Sequence, residues 1–193
     1  MSVDFYESKT RVNLMRAFAG ESQARNRYTF AAEKAKKMGC WFIYNVFTLT
    51  ANQEKAHAEI FYNHLKPENG ETIVIDNGGY PVDNYDTIEE LLRAAQHNEY
   101  DEYETAYPEF ARIAKEEGFH DIAFSFEKIA EIEKTHGDRF GCFADLIENS
   151  KMFTGDENTE WICLNCGHIQ KGKNAPKQCP VCKHDQGYFV PYK

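Results

Sequence analysis

Two short segments place a glutamate three residues before a histidine: Glu54 and His57 in NQEKAHAEI, residues 52–60, and Glu133 and His136 in EIEKTHGDRF, residues 131–140. Residues i and i+3 share one face of a helix, so each pair can offer a carboxylate and an imidazole to one ion, or to adjacent ions. With 21 Glu and seven His in the chain, chance supplies about one such match. A third match occurs at Glu117 and His120, but Gly118 lies inside it, and it reads as a solvated break between helices. The first two pairs differ in position, because both stand where a helix should show the core an apolar side chain.

The elements that carry them follow from the apolar period. Residues 9–38 place Leu14, Phe18, Tyr28 and Ala32 at helical spacing, and Gly39 reads as a C-cap. Residues 41–65 carry Phe47, Thr50, Phe61 and Leu65, and Pro67 ends that stripe. Residues 66–86, rich in Gly, Pro, Asn and Asp, read as a long loop with a short extended piece at 72–75. Thr87 and Glu90 predict a capping box. It opens a third helix with Ile88, Leu91, Ala95, Ala106, Phe110 and Ile113, kinked at Pro108 and broken at Gly118. The fourth stripe is Ile122, Phe126, Ile129, Phe140, Phe143 and Ile147. An extended connection of about twenty residues reaches roughly 60 Å, and a helix of about 25 residues is only about 37 Å long. The middle loop can therefore run the length of a bundle, which predicts an all-α four-helix bundle of the ferritin-like kind with one long crossover.

Every stripe is interrupted by charge on its inward face. Glu21 lies between Phe18 and Tyr28, Glu54 and His57 between Thr50 and Phe61, Glu99 and Glu102 between Ala95 and Ala106, and Glu133 and His136 between Ile129 and Phe140. A carboxylate buried without a partner is costly or takes up a proton. A pair of divalent ions removes that cost. One Glu from each of two helices plus a Glu-x-x-His from each of the other two is the ligand set of carboxylate-bridged dimetal bundles. The chain supplies that set and one Glu more. His64 and His97 stand outside it. Tyr28 and Tyr103 lie within a turn or two of ligands, where packing and hydrogen bonding to a ligand carboxylate are both open.

The last forty residues differ in kind. Cys163-x2-Cys166 and Cys179-x2-Cys182, twelve residues apart, are two knuckles able to form a tetrahedral four-sulfur site for zinc or iron. So short a segment holds too small a core to fold alone, and the metal would staple it. Residues 154–193 carry a balance of +1, whereas the whole chain of 193 residues carries −9, leaving −10 on the remainder. That shift puts a boundary near residues 150–158, giving a bundle over 1–150 and a small β/loop domain over 154–193. Cys40 and Cys142, outside the knuckles, read as small buried thiols. The acidic charge argues against nucleic acid, no apolar run is long enough to span a membrane, and the acidic start lacks a hydrophobic leader, so a cytoplasmic location is expected.

These residues resemble the rubrerythrin family: AFAGESQARNRYTF around Glu21, both Glu-x-x-His pairs, NEYDEYETAYPEFA around Glu99 and Glu102, and the paired CxxC knuckles, in that order along nearly the whole chain. The resemblance implies a diiron bundle followed by a rubredoxin-like domain with one iron on four cysteines. It implies that Glu54 and Glu133 bridge the two irons, that Glu21 and Glu99 are terminal ligands, and that His136 is a fixed ligand. Glu102 and His57 would exchange on one iron between oxidised and reduced states, the oxidised pair being oxo- and carboxylate-bridged. The implied activity is reduction of hydrogen peroxide to water, with electrons passing through the four-cysteine iron from a rubredoxin or a pyridine-nucleotide-linked reductase, in a head-to-tail homodimer. One departure is Lys183, where simple rubredoxins usually have Gly. Two other readings share the residues: a ferroxidase or iron-storage protein, and a non-enzymatic zinc-ribbon module on a metal-binding bundle.

Overall fold

The computed structural model describes residues 3–76 and 78–192. Helix α1, Lys9–Lys37, starts at Ser8, whose hydroxyl accepts from the Arg11 amide. It ends before Gly39, whose φ of +76° is the left-handed turn glycine favours. Helix α2, Trp41–His64, folds back against α1. Thr87 and Glu90 form the expected capping box at the head of α3, Ile88–Asp101. The third rod then departs from a simple kink. A π turn over Glu102–Ala106 joins α3 to α4, Tyr107–Glu117, with the Tyr107 amide bonded to the carbonyl of Glu102 five residues back. Pro108 sits at the start of α4, where a missing N–H costs least, so the proline is absorbed by a widened turn. Gly118, at φ +92°, ends α4, and α5, His120–Glu148, completes a bundle in which α1 pairs with α2 and α3–α4 with α5.

The crossover follows α1 along its length. Arg11 grips Glu68 with two bonds of 2.7 and 2.9 Å, Arg16 Nη2 donates to Asp76 O at 2.8 Å, Arg27 pairs with Asp83, and Lys34 reaches Asp86 at 3.0 Å. Those anchors span 23 helical positions, about 35 Å of axis, as the length of the loop requires. The stretch 72–75 joins no strand among the described residues.

Two apolar clusters plug the bundle, one at each end. The first joins Tyr28, Ile43, Phe47, Leu92 and Phe140. The second joins Leu14, Phe61, Tyr107, Phe126 and Ile129. Phe47, Phe61, Phe126 and Phe140 are each completely buried, a burial worth about 1.5–3 kcal/mol per side chain. On every rod the charged interruptions fall between the two plugs.

Beyond α5, strands β1 (Glu160–Cys163), β2 (Ile169–Lys171) and β3 (Phe189–Pro191) form a small antiparallel sheet in the order β2-β1-β3. Its core is Trp161, Cys163, Ala175, Cys179 and Phe189, and Trp161 donates its indole N–H to Gly172 O at 2.8 Å. This domain docks on the α1–α2 turn, where the Tyr188 and Trp41 rings lie 4.8 Å apart. A Cβ on Gly187 would stand only 1.8 Å from Gly39 O, so the close approach requires glycine there.

Candidate metal centres

Four rods converge their carboxylates midway along the bundle. Glu21, Glu54, His57 and Glu133 offer ligand atoms within 4.8 Å of one another, and so do Glu54, Glu99, Glu133 and His136. Glu54 and Glu133 belong to both groups, each turning one oxygen to either side. His57 Nδ1 lies 2.9 Å from Glu133 Oε1, 3.2 Å from Glu54 Oε2 and 3.8 Å from Glu21 Oε2. His136 Nδ1 lies 2.8 Å from Glu133 Oε2, 3.0 Å from Glu54 Oε1 and 3.4 Å from Glu99 Oε2. The two imidazoles are nearly parallel, with centroids 5.6 Å apart. The arrangement has a two-fold character: one terminal carboxylate and one histidine per side, and two shared carboxylates between.

The outer oxygens are held from outside. Tyr28 donates its hydroxyl to Glu99 Oε1, and Tyr107 donates to Glu21 Oε1. The inner atoms are not satisfied in this way. Although they crowd one another, Glu21 Oε2, Glu54 Oε1, Glu99 Oε2, both Glu133 oxygens and both His136 ring nitrogens are buried and none makes a well-aligned hydrogen bond among the described residues. Burial pushes the Glu21 and Glu99 carboxyls well up, with repulsion from Glu133 and Glu54 adding to it. Burial alone would lower the histidines, but Glu133 and the neighbouring carboxylates outweigh it and raise both, His136 to about 11. A site that draws protons so strongly calls for positive charge. Four carboxylates with two neutral imidazoles balance two divalent cations, and the donor set suits iron.

Glu102 is not brought into either group. It sits at the start of the π turn, half-buried, with Oε1 beside Gly20, 3.8 Å from where a Cβ of that residue would stand. The first group is completed by His57. A π turn inside an α-helix commonly marks a functional position, and here it sets Glu102 beside the site.

Two sequence readings need correction, and one residue was missed. Glu117 is not solvated: it caps α1 from another rod, accepting from the amides of Lys9 and Thr10 at 2.9 Å each and from the Thr10 hydroxyl at 2.6 Å. His120 is exposed. Cys142 is not a buried thiol but lies exposed on α5, because the helix turns its neighbour Gly141 inward; Cys40 is half-buried. Of the two readings open for Tyr28 and Tyr103, Tyr28 hydrogen-bonds Glu99 and Tyr103 packs against the second apolar plug, while the hydrogen-bonding tyrosine on the third rod, Tyr107, was missed. Tyr28 stands seven residues after Glu21 and Tyr107 eight after Glu99; the added residue is the one the π turn inserts. That spacing was the available signal. His64 bonds Ser125 Oγ at 2.9 Å, and His97 is exposed.

The four cysteines form the second centre. Their sulfurs lie within 4.8 Å of one another, with Cys163–Cys182 and Cys166–Cys179 each at 3.6 Å. Sulfurs about 2.3 Å from a central ion stand about 3.8 Å apart on a tetrahedron, so the spacing fits a metal. The knuckles repeat one geometry. The Cys163 amide donates to His168 O and the Cys179 amide to His184 O, both at 2.8 Å. Gly167 and Lys183 occupy equivalent left-handed positions at φ +74° and +63°.

A bundle with one long crossover, a doubled Glu-x-x-His dimetal site and a stapled four-cysteine domain define a ferritin-like diiron protein with a rubredoxin-like appendage. Two family models match the chain: one described as Rubrerythrin, over residues 13–143, and one as Rubrerythrin, rubredoxin-like domain, over residues 161–190. The chain belongs to the rubrerythrin family. It is 46% identical over 188 residues to a rubrerythrin of Clostridium perfringens, covering 96% of this chain and 95% of the relative. A solved structure of nigerythrin in a mixed-valence state superposes with a TM-score of 0.63 at 27% identity, covering 99% and 92%. A bacterioferritin of Desulfovibrio desulfuricans, described with its diiron site in different catalytic states, superposes with a TM-score of 0.63 at 25% identity, covering 74% and 81%. The kinship points to an oxidoreductase. Among the described residues no helix is long and apolar enough to cross a membrane.

Proposed function

We propose that the chain reduces hydrogen peroxide to two waters, taking up two electrons and two protons per turnover. Glu21, Glu54, Glu99, Glu133, His57 and His136 would hold two irons, which would supply the two electrons, and Cys163, Cys166, Cys179 and Cys182 would hold a third iron that would return electrons singly. Glu54 and Glu133 would be shared between the two ions, Glu21 and Glu99 would each serve one of them, and His136 would keep its place. Tyr28 and Tyr107 hold the outer oxygens of Glu99 and Glu21, so the inner oxygens stay turned inward. The two apolar plugs exclude water from either end. His57 would serve one iron in the reduced protein and Glu102 would take its place in the oxidised one, because a ferric ion prefers a harder anionic oxygen.

The observation that carries this reading is the reserve carboxylate beside the dimetal donor set, together with a four-cysteine electron port. An iron-storage protein has no use for such a port. Trp41, against which the four-cysteine domain packs, lies thirteen residues before Glu54 on α2, about 20 Å of helix. The route within one chain is therefore long, and a head-to-tail homodimer, with each four-cysteine iron serving the partner's diiron site, shortens it. A rubredoxin or a pyridine-nucleotide-linked reductase is the donor, and the cytoplasm, where thiols stay reduced, is the setting.

The test is peroxide-dependent oxidation of reduced pyridine nucleotide by the iron-loaded protein with rubredoxin and its reductase. Activity should vanish in Cys163→Ser/Cys179→Ser, while single-turnover oxidation by peroxide persists. A colourless, zinc-filled four-cysteine site in active protein, or iron accumulation without peroxide consumption, would overturn the reading.

A further inference from the structure

A cavity of about 480 Å³ opens beside Glu102, between the crossover and the π turn. Ala17, Pro81 and Phe110 give it apolar walls, and Tyr107 and Glu102 reach it from the side of the metal site. Tyr107 also holds Glu21, so the cavity borders the dimetal donor set itself. Its roof is fixed. The Tyr80 hydroxyl donates to Arg16 O at 3.1 Å, and Asn98 Nδ2 donates at 2.7 Å to Asp83, which also pairs with Arg27. The Arg16 and Arg27 guanidiniums reach Asp76 O and Asp83, and the lining is mixed: Gln23, Asp101 and Glu102 stand beside an apolar wall of Ala17, Pro81, Ala106 and Phe110, which is the part that fits an alkyl group.

Gly20 lies at the inner neck. Glycine inside a helix costs about 1 kcal/mol relative to alanine, so its presence needs a reason. At Gly137 and Gly141 the reason is packing: a Cβ would stand 3.0 Å from the Tyr100 ring and 2.2 Å from Gln96. At Gly20 it would meet Glu102 Oε1 and Tyr80 Cε1 only at 3.8 Å, an ordinary contact. Packing does not demand glycine here. What the missing side chain leaves is a gap between Tyr80 and Glu102, leading from the cavity toward the metal donors.

Hydrogen peroxide needs little of this space, since a water molecule occupies about 30 Å³. We propose that the cavity binds the organic half of a small, neutral alkyl hydroperoxide, with its O–O group directed through the Gly20 gap, so that the chain reduces alkyl hydroperoxides as well as hydrogen peroxide. The inference rests on the peroxidase reading. The O–O bond breaks, the two ferrous ions each give one electron and become ferric, two solvent protons are taken up, and the products are the alcohol and water.

Anaerobic, fully reduced protein is mixed with tert-butyl hydroperoxide or hydrogen peroxide, and the two second-order rate constants are compared. Wild type should react with both, and Gly20→Val should lower the ratio of alkyl to hydrogen peroxide rates by about tenfold or more, about 1.4 kcal/mol of barrier. Gly20→Ala guards against misfolding, because its Cβ has room; it should melt higher and lower the ratio partway. Fluorine NMR of nonafluoro-tert-butyl alcohol, titrated into resting iron-loaded protein, reads the cavity without turnover. Saturable binding, weakened in Gly20→Val, is expected. An unchanged ratio, no reaction of wild type with the alkyl hydroperoxide, or no saturable binding overturns the proposal. If hydrogen peroxide itself fails to react, the peroxidase reading falls first and this proposal with it.

Discussion

Tyr107 donates its hydroxyl to Glu21 on the opposite rod, and Tyr28 returns the same bond to Glu99. Each tyrosine follows one of these two carboxylates in sequence and holds the other in space. Tyr107→Phe should keep the fold, because the ring still fills the second plug, but free Glu21 to swing. Metal affinity on that side is expected to fall about 10- to 100-fold, read by competitive chelator titration. Tyr28→Phe should do the same on the Glu99 side.

Glu102 stands beside the site rather than in either group of ligand atoms. Glu102→Ala should therefore bind both irons with near-normal stoichiometry and react slowly with peroxide. Metal analysis with stopped-flow oxidation separates the two effects. Loss of both irons would show that Glu102 is needed for assembly.

Glu117 shows how a pair with the right spacing can serve another purpose. Burial pushes its carboxyl up, but the Thr10 hydroxyl and the amides of Lys9 and Thr10 outweigh that and hold it below the ordinary value of 4.5. A depressed carboxyl stabilises the fold above its unfolded pKa, and that contribution fades as pH falls through the folded value. Glu117→Gln should cost about 1 kcal/mol at pH 7, a drop of about 2–4 °C in melting midpoint. The gap from wild type should close as the pH falls below the ordinary carboxylate range. His120→Ala should leave iron content unchanged.

Lys183 holds a left-handed backbone at φ +63° where its counterpart in the other knuckle is Gly167. A side chain there costs about 1 kcal/mol. Lys183→Gly should slow loss of the red ferric four-cysteine chromophore in guanidinium, with the diiron site unaffected.

The helices were legible from their apolar period, and the clustered donors from carboxylates at spacings of three, four and seven on the inward faces; Glu102, read with them, stands beside the groups rather than in them. Glu21, Glu54, His57, Glu99, Glu133 and His136 all stand where the stripes put them. Tyr107 was not legible. The offset of seven that links Glu21 to Tyr28 selects Ala106 when counted from Glu99, and only the i+5 bond from Tyr107 to Glu102 shifts the register by one. The cap that Glu117 provides for α1 joins residues more than a hundred positions apart, and no local pattern encodes it. Cys142 was misread because its neighbours are apolar, although it sits one step off the inward face.

The central claim is that two electrons stored at the dimetal site reduce one peroxide. Anaerobic protein with all three irons ferrous should be titrated with hydrogen peroxide while the diferric and the four-cysteine absorbances are followed separately. The account predicts rapid oxidation with one peroxide consumed per diiron site, half an equivalent more for each four-cysteine iron, and no hydroxyl radical released. Oxidation by dioxygen in preference to peroxide, or consumption of one peroxide per iron with radical release, would contradict it.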